Sequence, residues 1–162
     1  MPRAQIPGEF RRITPMKLRV LLADDHPIVR QSLSRFLQTQ DDFEVVGEAQ
    51  DGCQAVDLAN LLQPDVIIMD ISMPNLNGIE ATRQILSDHS QVKVIGLSMH
   101  TGKRWVAEMF RAGAAGYLTK DCSFDELLDA VSFVTAGRIY LSPQIITESP
   151  GVEQLINLPQ EL

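Results

Sequence analysis

Five short apolar runs, each followed by a stretch with helical periodicity, constrain this chain more than any other feature of it. The runs are Leu18 to Leu22, Phe43 to Ala49, Val66 to Met69, Val92 to Leu97 and Ala115 to Leu118. They read as strands that are apolar instead of alternating, which implies a sheet covered on both faces. Between them Pro64, Pro74 and Gly78 mark stops and turns.

The intervening stretches read as helices. Pro27 suits a first helical position, and Val29, Leu33, Phe36 and Leu37 then recur on one helical face. Further helices are expected from Gly52 to Leu62, around Ile79, Ile85 and Leu86, and from Lys103 to Arg111. The last starts near Ser123, a candidate N-cap with Glu126 three residues on as a capping box. Phe124, Leu127, Leu128, Val131 and Val134 form its apolar face. Five βα units with right-handed crossovers predict an α/β fold: a doubly wound, five-stranded parallel sheet of flavodoxin-like order 2-1-3-4-5, with helices on both faces.

At 162 residues one compact domain is the expectation, with a core large enough to need no disulfide or metal staple. No apolar run approaches the roughly 20 residues needed to cross a bilayer, and residues 1–15 lack the apolar segment of a secretory signal. A cytoplasmic location is expected. Cys53 and Cys122 have no metal-ligand spacing and read as reduced structural residues. A net charge of −7 and a pI near 4.9 argue against direct nucleic-acid binding, which needs a basic surface.

In open α/β sheets ligands bind beyond the carboxyl ends of the strands. The residues there are Asp24 and Asp25 after the first strand, Asp70 after the third, Ser98 after the fourth and Lys120 after the fifth. Singly, each has a plain structural reading as a cap, a turn residue or a solvated charge. Jointly, five such groups at one edge point to chemistry. Two unit charges about 4 Å apart cost on the order of 4 kcal/mol at an effective dielectric near 20, so three carboxylates call for a positive partner. Lys120 offers one charge, and a hard divalent cation with oxygen ligands is the natural second, magnesium above all. The set is suited to binding a cation and then a phosphate.

Asp24-Asp25-His26, the segment Val66 to Pro74 with Asn77-Gly78, Leu97-Ser98, and Gly113 to Asp121 (GAAGYLTKD) together resemble the signature of bacterial two-component receiver domains. The resemblance spans about Met16 to Pro143. Within that family it is nearest to the NarL/FixJ type, which Tyr140-Leu141-Ser142-Pro143 also fits. Asp121 stands where many receivers carry a proline, a departure usual in this subfamily.

The resemblance implies that Asp70 is the phosphoacceptor and that Asp25, Asp70 and the backbone carbonyl of Ser72 hold Mg2+, with Asp24 reaching it through water. It implies that Ser98 and Lys120 contact phosphoryl oxygens, and that the Ser72 and His100 side chains flank the attacking water and tune hydrolysis. Ser98 and Tyr117 are then the switch residues, with the fourth helix, fifth strand and fifth helix as output surface. The implied partner is a sensor histidine kinase, with a phosphorylation-linked homodimer permitted. Such a domain is not an enzyme in the turnover sense: it catalyses only its own phosphorylation and dephosphorylation.

The organisation expected is an N-terminal extension at 1–15, disordered or tag-derived, a receiver domain at 16–140, and a tail or linker at 141–162. That tail holds Glu148, Glu153 and Glu161 and no lysine or arginine, so it contains no DNA-binding module; Gly151 to Leu158 reads as one short helix. The expected role is transcriptional regulation through an output domain, the alternative a stand-alone receiver acting through protein contacts. A magnesium-dependent phosphatase is the remoter alternative, since such enzymes space their aspartates as DxD. Trp105 is open between a partner contact and cover for the core edge.

Overall fold

The computed structural model describes residues 16–156, so the extension expected at 1–15 and residues 157–162 of the tail lie outside the described residues. The elements are β1 (Leu18–Ala23), α1 (Pro27–Gln38), β2 (Phe43–Ala49), α2 (Gly52–Leu62), β3 (Val66–Asp70), α3 (Gly78–Asp88) and β4 (Lys93–Ser98). They continue with α4 (Lys103–Arg111), β5 (Gly116–Thr119), α5 (Phe124–Thr135), β6 (Tyr140–Leu141), α6 (Pro143–Glu148) and α7 (Val152–Ile156).

The strands form one parallel sheet in the order β2-β1-β3-β4-β5-β6. The 2-1-3-4-5 order expected from the sequence is present, and a short sixth strand extends it. After α5 the chain turns at Gly137, whose φ of 84° lies in the left-handed region that glycine adopts without strain. Tyr140 N then donates to Ala115 O and Ser142 N to Tyr117 O, which brings β6 beside β5.

The strand side chains alternate between two cores. Val20, Leu22, Ile68, Leu97 and Leu118 pack with Leu33 and Leu37 of α1 and with Leu127, Val131 and Val134 of α5. Leu21, Ile67, Met69, Val94 and Tyr117 face the other way, toward residues of α2, α3, α4, α6 and α7. Because both faces are covered, polar side chains are confined to strand ends, and the C-terminal ends gather the functional groups.

Local signals explain the helix starts. Pro27 opens α1, Asn77 Oδ1 accepts from Glu80 N at the start of α3, and Ser123 Oγ accepts from Glu126 N at the start of α5. The capping box is only half formed: Glu126 Oε2 accepts from the Tyr140 hydroxyl at 2.9 Å, since β6 delivers a donor that local spacing does not reveal.

Beyond β6 the chain stays on the domain. Ile145, Val152 and Ile156 are buried in the same core as Val106, Met109 and Phe110 of α4, and Ser149 Oγ donates to Thr101 O at 2.5 Å. The short helix expected near residues 151–158 is α7, and α6 precedes it. No helix among the described residues is long and apolar enough to cross a membrane.

Candidate functional site: an acidic pocket at the C-terminal ends of the strands

Sheet register assembles the site. Ala23 pairs with Met69, so Asp24 emerges beside Asp70; Asp70 pairs with Leu97, so Ser98 lies one step beyond; Ser98 pairs with Thr119, so Lys120 follows. Lys120 N donates to Ser98 O at 2.9 Å and extends that edge. The loop after Asp70 is held short by Gly78, whose amide donates to Ile71 O at 2.7 Å. A Cβ at Gly78 would stand 1.9 Å from Asp70 O, so only glycine lets α3 start this close to the strand.

Asp24 and Asp70 are each 2% exposed. Lys120 Nζ lies 3.0 Å from Asp24 Oδ2 and 3.1 Å from Asp70 Oδ2, its own side chain nearly buried. Burial, then the Asp24 carboxylate, push the Asp70 carboxyl up to about 6 from its ordinary 3.8, while Lys120 and the Ser72 amide pull it down. Arg30, also buried, donates from Nη1 to Asp24 O at 2.6 Å and from Nε to Glu48 at 3.0 Å, which fixes the backbone of the first acidic residue.

Lys120 leaves the pocket incompletely neutralised. Asp24 Oδ2, Asp25 Oδ1 and Asp70 Oδ2 are buried and make no well-aligned hydrogen bond, the first and third touching only the shared Lys120 ammonium, and ligand atoms of Asp24, Asp25, His26 and Asp70 all lie within 4.8 Å of one another. Three clustered carboxylates that share one ammonium are costly to bury, and a further cation is what such a set accepts. The residues therefore fit a divalent metal site built mainly from hard oxygen donors.

His26 is the site residue that the sequence reading left without a role. Its Nδ1 stands 2.9 Å from Asp24 Oδ1, 3.3 Å from Asp25 Oδ1 and 3.0 Å from Lys120 Nζ. The signal available was its place directly after the acidic pair, at the N-cap of α1, where it makes no side-chain cap.

Ser98 and Tyr117 meet through the β4–α4 loop. Ser98 Oγ accepts from His100 N at 2.9 Å, and the Tyr117 hydroxyl donates to His100 O at 2.8 Å. Tyr117 is completely buried, which pushes its hydroxyl pKa up to about 12. Ser72 N donates to Asp70 Oδ1 at 3.3 Å, and Ser72 Oγ lies 3.0 Å from His100 Nε2. Trp105 stacks on the His100 ring with centroids 4.2 Å apart and planes 20° from parallel.

Residues 20–132 match the family model described as the response regulator receiver domain. The chain belongs to this family. It is of the NarL/FixJ type: it is 38% identical to a crystal structure of a LuxR-family two-component response regulator from an Aurantimonas species, covering 82% of this chain and 94% of that one with a TM-score of 0.77. It is 35% identical, with a TM-score of 0.73, to the signal receiver domain named for NarL of Mycobacterium tuberculosis, over 76% of this chain and all of that one. The transcriptional regulatory protein DegU of Brevibacillus brevis is 39% identical over 83% of this chain and 57% of its own length. The chain thus spans little more than half of the curated relative it resembles, and its match is to the receiver portion.

Proposed function

We propose that Asp70 is the phosphoacceptor of this receiver domain and that it takes the phosphoryl group from a phosphohistidine of a sensor histidine kinase. A carboxylate oxygen of Asp70 forms the new O–P bond as the N–P bond of the donor breaks, and the histidine nitrogen keeps the electron pair. The observation that carries this reading is the convergence of three carboxylates, Asp24, Asp25 and Asp70, on one pocket in which a single buried ammonium, Lys120, is shared between two of them.

Magnesium is the cation proposed, held by Asp25, Asp70 and the Ser72 carbonyl with Asp24 through water; when bound it neutralises the carboxylates and the phosphoryl oxygens. The rest of the task is positioning and charge stabilisation, which phosphoryl transfer chiefly requires. Lys120 and the Ser98 hydroxyl are placed to meet phosphoryl oxygens. Ser72 and His100 are placed to influence the water that later hydrolyses the acyl phosphate.

A phosphoryl group adds about −1.5 to −2 charges and strong acceptors, so Ser98 is drawn toward it and releases His100 N. His100 O is the acceptor of Tyr117, so this movement reaches the surface of α4, β5 and α5. Relatives named as transcriptional regulators support an output on transcription through sequence beyond these 162 residues; action through protein contacts alone, including a phosphorylation-linked homodimer, is the second reading.

The test is incubation with magnesium and acetyl phosphate followed by intact mass measurement. One phosphoryl adduct, absent in Asp70→Asn and absent with chelator, is expected. Steady turnover of a phosphate ester without a stable adduct overturns the reading in favour of a phosphatase.

A further inference from the structure

We infer that Trp105 is a positioning residue for dephosphorylation: it holds the His100 ring against Ser72, and the bridge so formed shields the acyl phosphate on Asp70 from water. This rests on the phosphoacceptor reading above and adds to it a residue outside the acidic pocket.

The bridge joins the loop after β3 to the loop after β4. Ser72 is two residues past Asp70 and exposed, whereas Asp70 is buried beneath it. His100 is two residues past Ser98. The contact from His100 Nε2 to Ser72 Oγ, 3.0 Å long and exposed, therefore links two residues whose amides are bonded to site side chains, Ser72 N to Asp70 Oδ1 and His100 N to Ser98 Oγ.

An exposed hydrogen bond between two loop side chains has little persistence on its own. Here the imidazole is fixed by more than that bond. Its backbone is held at N by Ser98 and at O by Tyr117, which leaves the side-chain torsions as the remaining freedom. Trp105 removes that freedom by lying against the ring face at 4.2 Å. Trp105 is in the first turn of α4, directly after the N-cap Gly102, which brings its indole next to the loop that carries His100. At 36% exposure the indole is partly open to solvent, and the His100 ring is the aromatic partner it faces.

Hydrolysis requires water to attack phosphorus as the P–O bond to Asp70 breaks. The carboxylate recovers the electron pair, the water gives up a proton to solvent, and inorganic phosphate leaves. A ring pinned beside the phosphoacceptor through Ser72 makes water entry depend on the stack opening.

The experiment compares decay of the phosphoryl adduct, after removal of acetyl phosphate, in the parent, Trp105→Ala, Trp105→Phe, His100→Ala and the Trp105→Ala/His100→Ala double variant. Trp105→Ala is expected to shorten the adduct's life roughly two- to ten-fold, the factor corresponding to an aromatic pair, and Trp105→Phe to restore most of it. In the His100→Ala background Trp105→Ala should add nothing, because the tryptophan acts through the imidazole. Trp105 is the only tryptophan in the chain. Its emission in the metal-free, unphosphorylated protein should therefore change in His100→Ala, a readout independent of phosphorylation.

Equal or slower decay in Trp105→Ala, or the same acceleration with and without His100, overturns the inference while leaving Asp70 as acceptor. Emission indifferent to His100→Ala overturns the stack itself. A parent protein that never takes an adduct overturns the phosphoacceptor reading and this inference with it.

Discussion

Lys120 Nζ stands 3.1 Å from Asp70 Oδ2, so the one buried ammonium of the pocket is shared between Asp70 and Asp24 and saturates neither. Replacing it by glutamine keeps a donor and removes the charge. Lys120→Gln is expected to lower the rate of phosphorylation by acetyl phosphate about a hundred- to a thousand-fold, the usual loss when a preorganised group at a reacting oxyanion is removed. Time-resolved intact mass checks it; a parent-like rate removes Lys120 from the chemistry.

The raised pKa of Asp70 gives a pH dependence with a definite sign. Its folded value of about 6 exceeds the ordinary 3.8, so the folded state binds this proton more tightly than the unfolded chain. The associated stability is fully present below the unfolded value and is lost as pH rises through about 6. In chelator, Asp70→Asn should therefore be more stable than the parent by on the order of 2–3 kcal/mol at about pH 8, and gain little near pH 4. Urea denaturation at both pH values measures this, and a gain of the same size at both would contradict it.

Metal follows the same carboxylates. A divalent ion competes with the proton on Asp70 and supplies the positive charge that Lys120 alone does not provide to Asp24, Asp25 and Asp70. Millimolar magnesium should raise the melting temperature of the parent, more strongly at about pH 8 than near pH 5, and should do much less for Asp25→Asn. Differential scanning fluorimetry with and without chelator is sufficient.

Tyr117→Phe removes the hydroxyl that donates to His100 O and leaves the buried ring in place. A cost of about 0.5–1.5 kcal/mol in unfolding free energy is expected, with faster amide exchange around residues 99–102. Tyr117→Ala empties a fully buried site and should cost about 3–5 kcal/mol.

The segment after β6 is tied to the same loop, one residue further on. Val152 is fully buried and Ser149 donates to Thr101 O. Val152→Asp should release α6 and α7 and raise amide exchange in α4, with little change in α1. Exchange that stays at parent levels in α4 would mean that these helices do not brace it.

Most of the fold was readable because its strands are buried on both faces, and continuous apolar runs such as Val66 to Met69 need no partner to be recognised. The acidic pair, Asp70, Ser98 and Lys120 were readable for a related reason: strand ends locate them once the strand order is known. What escaped depends on contacts distant in sequence. Glu126 takes its donor from Tyr140 and leaves the capping box half formed. The two-residue β6 is too short to leave a periodic signal, and its pairing with β5 follows from the turn at Gly137. His26 sits in the motif, yet only the fold shows its ring nitrogen among the carboxylates and beside Lys120. The stacking of Trp105 on His100 likewise follows from how the helix N-terminus folds back, which composition does not encode.

Tyr117 grips the main chain at position 100, whereas Ser72 and Trp105 hold the ring. On the reading proposed above, one residue then has two separable duties, a relay through its carbonyl and a clock through its imidazole. Evolution can reset the clock by changing that side chain while the relay, which any amino acid's backbone supplies, goes on working.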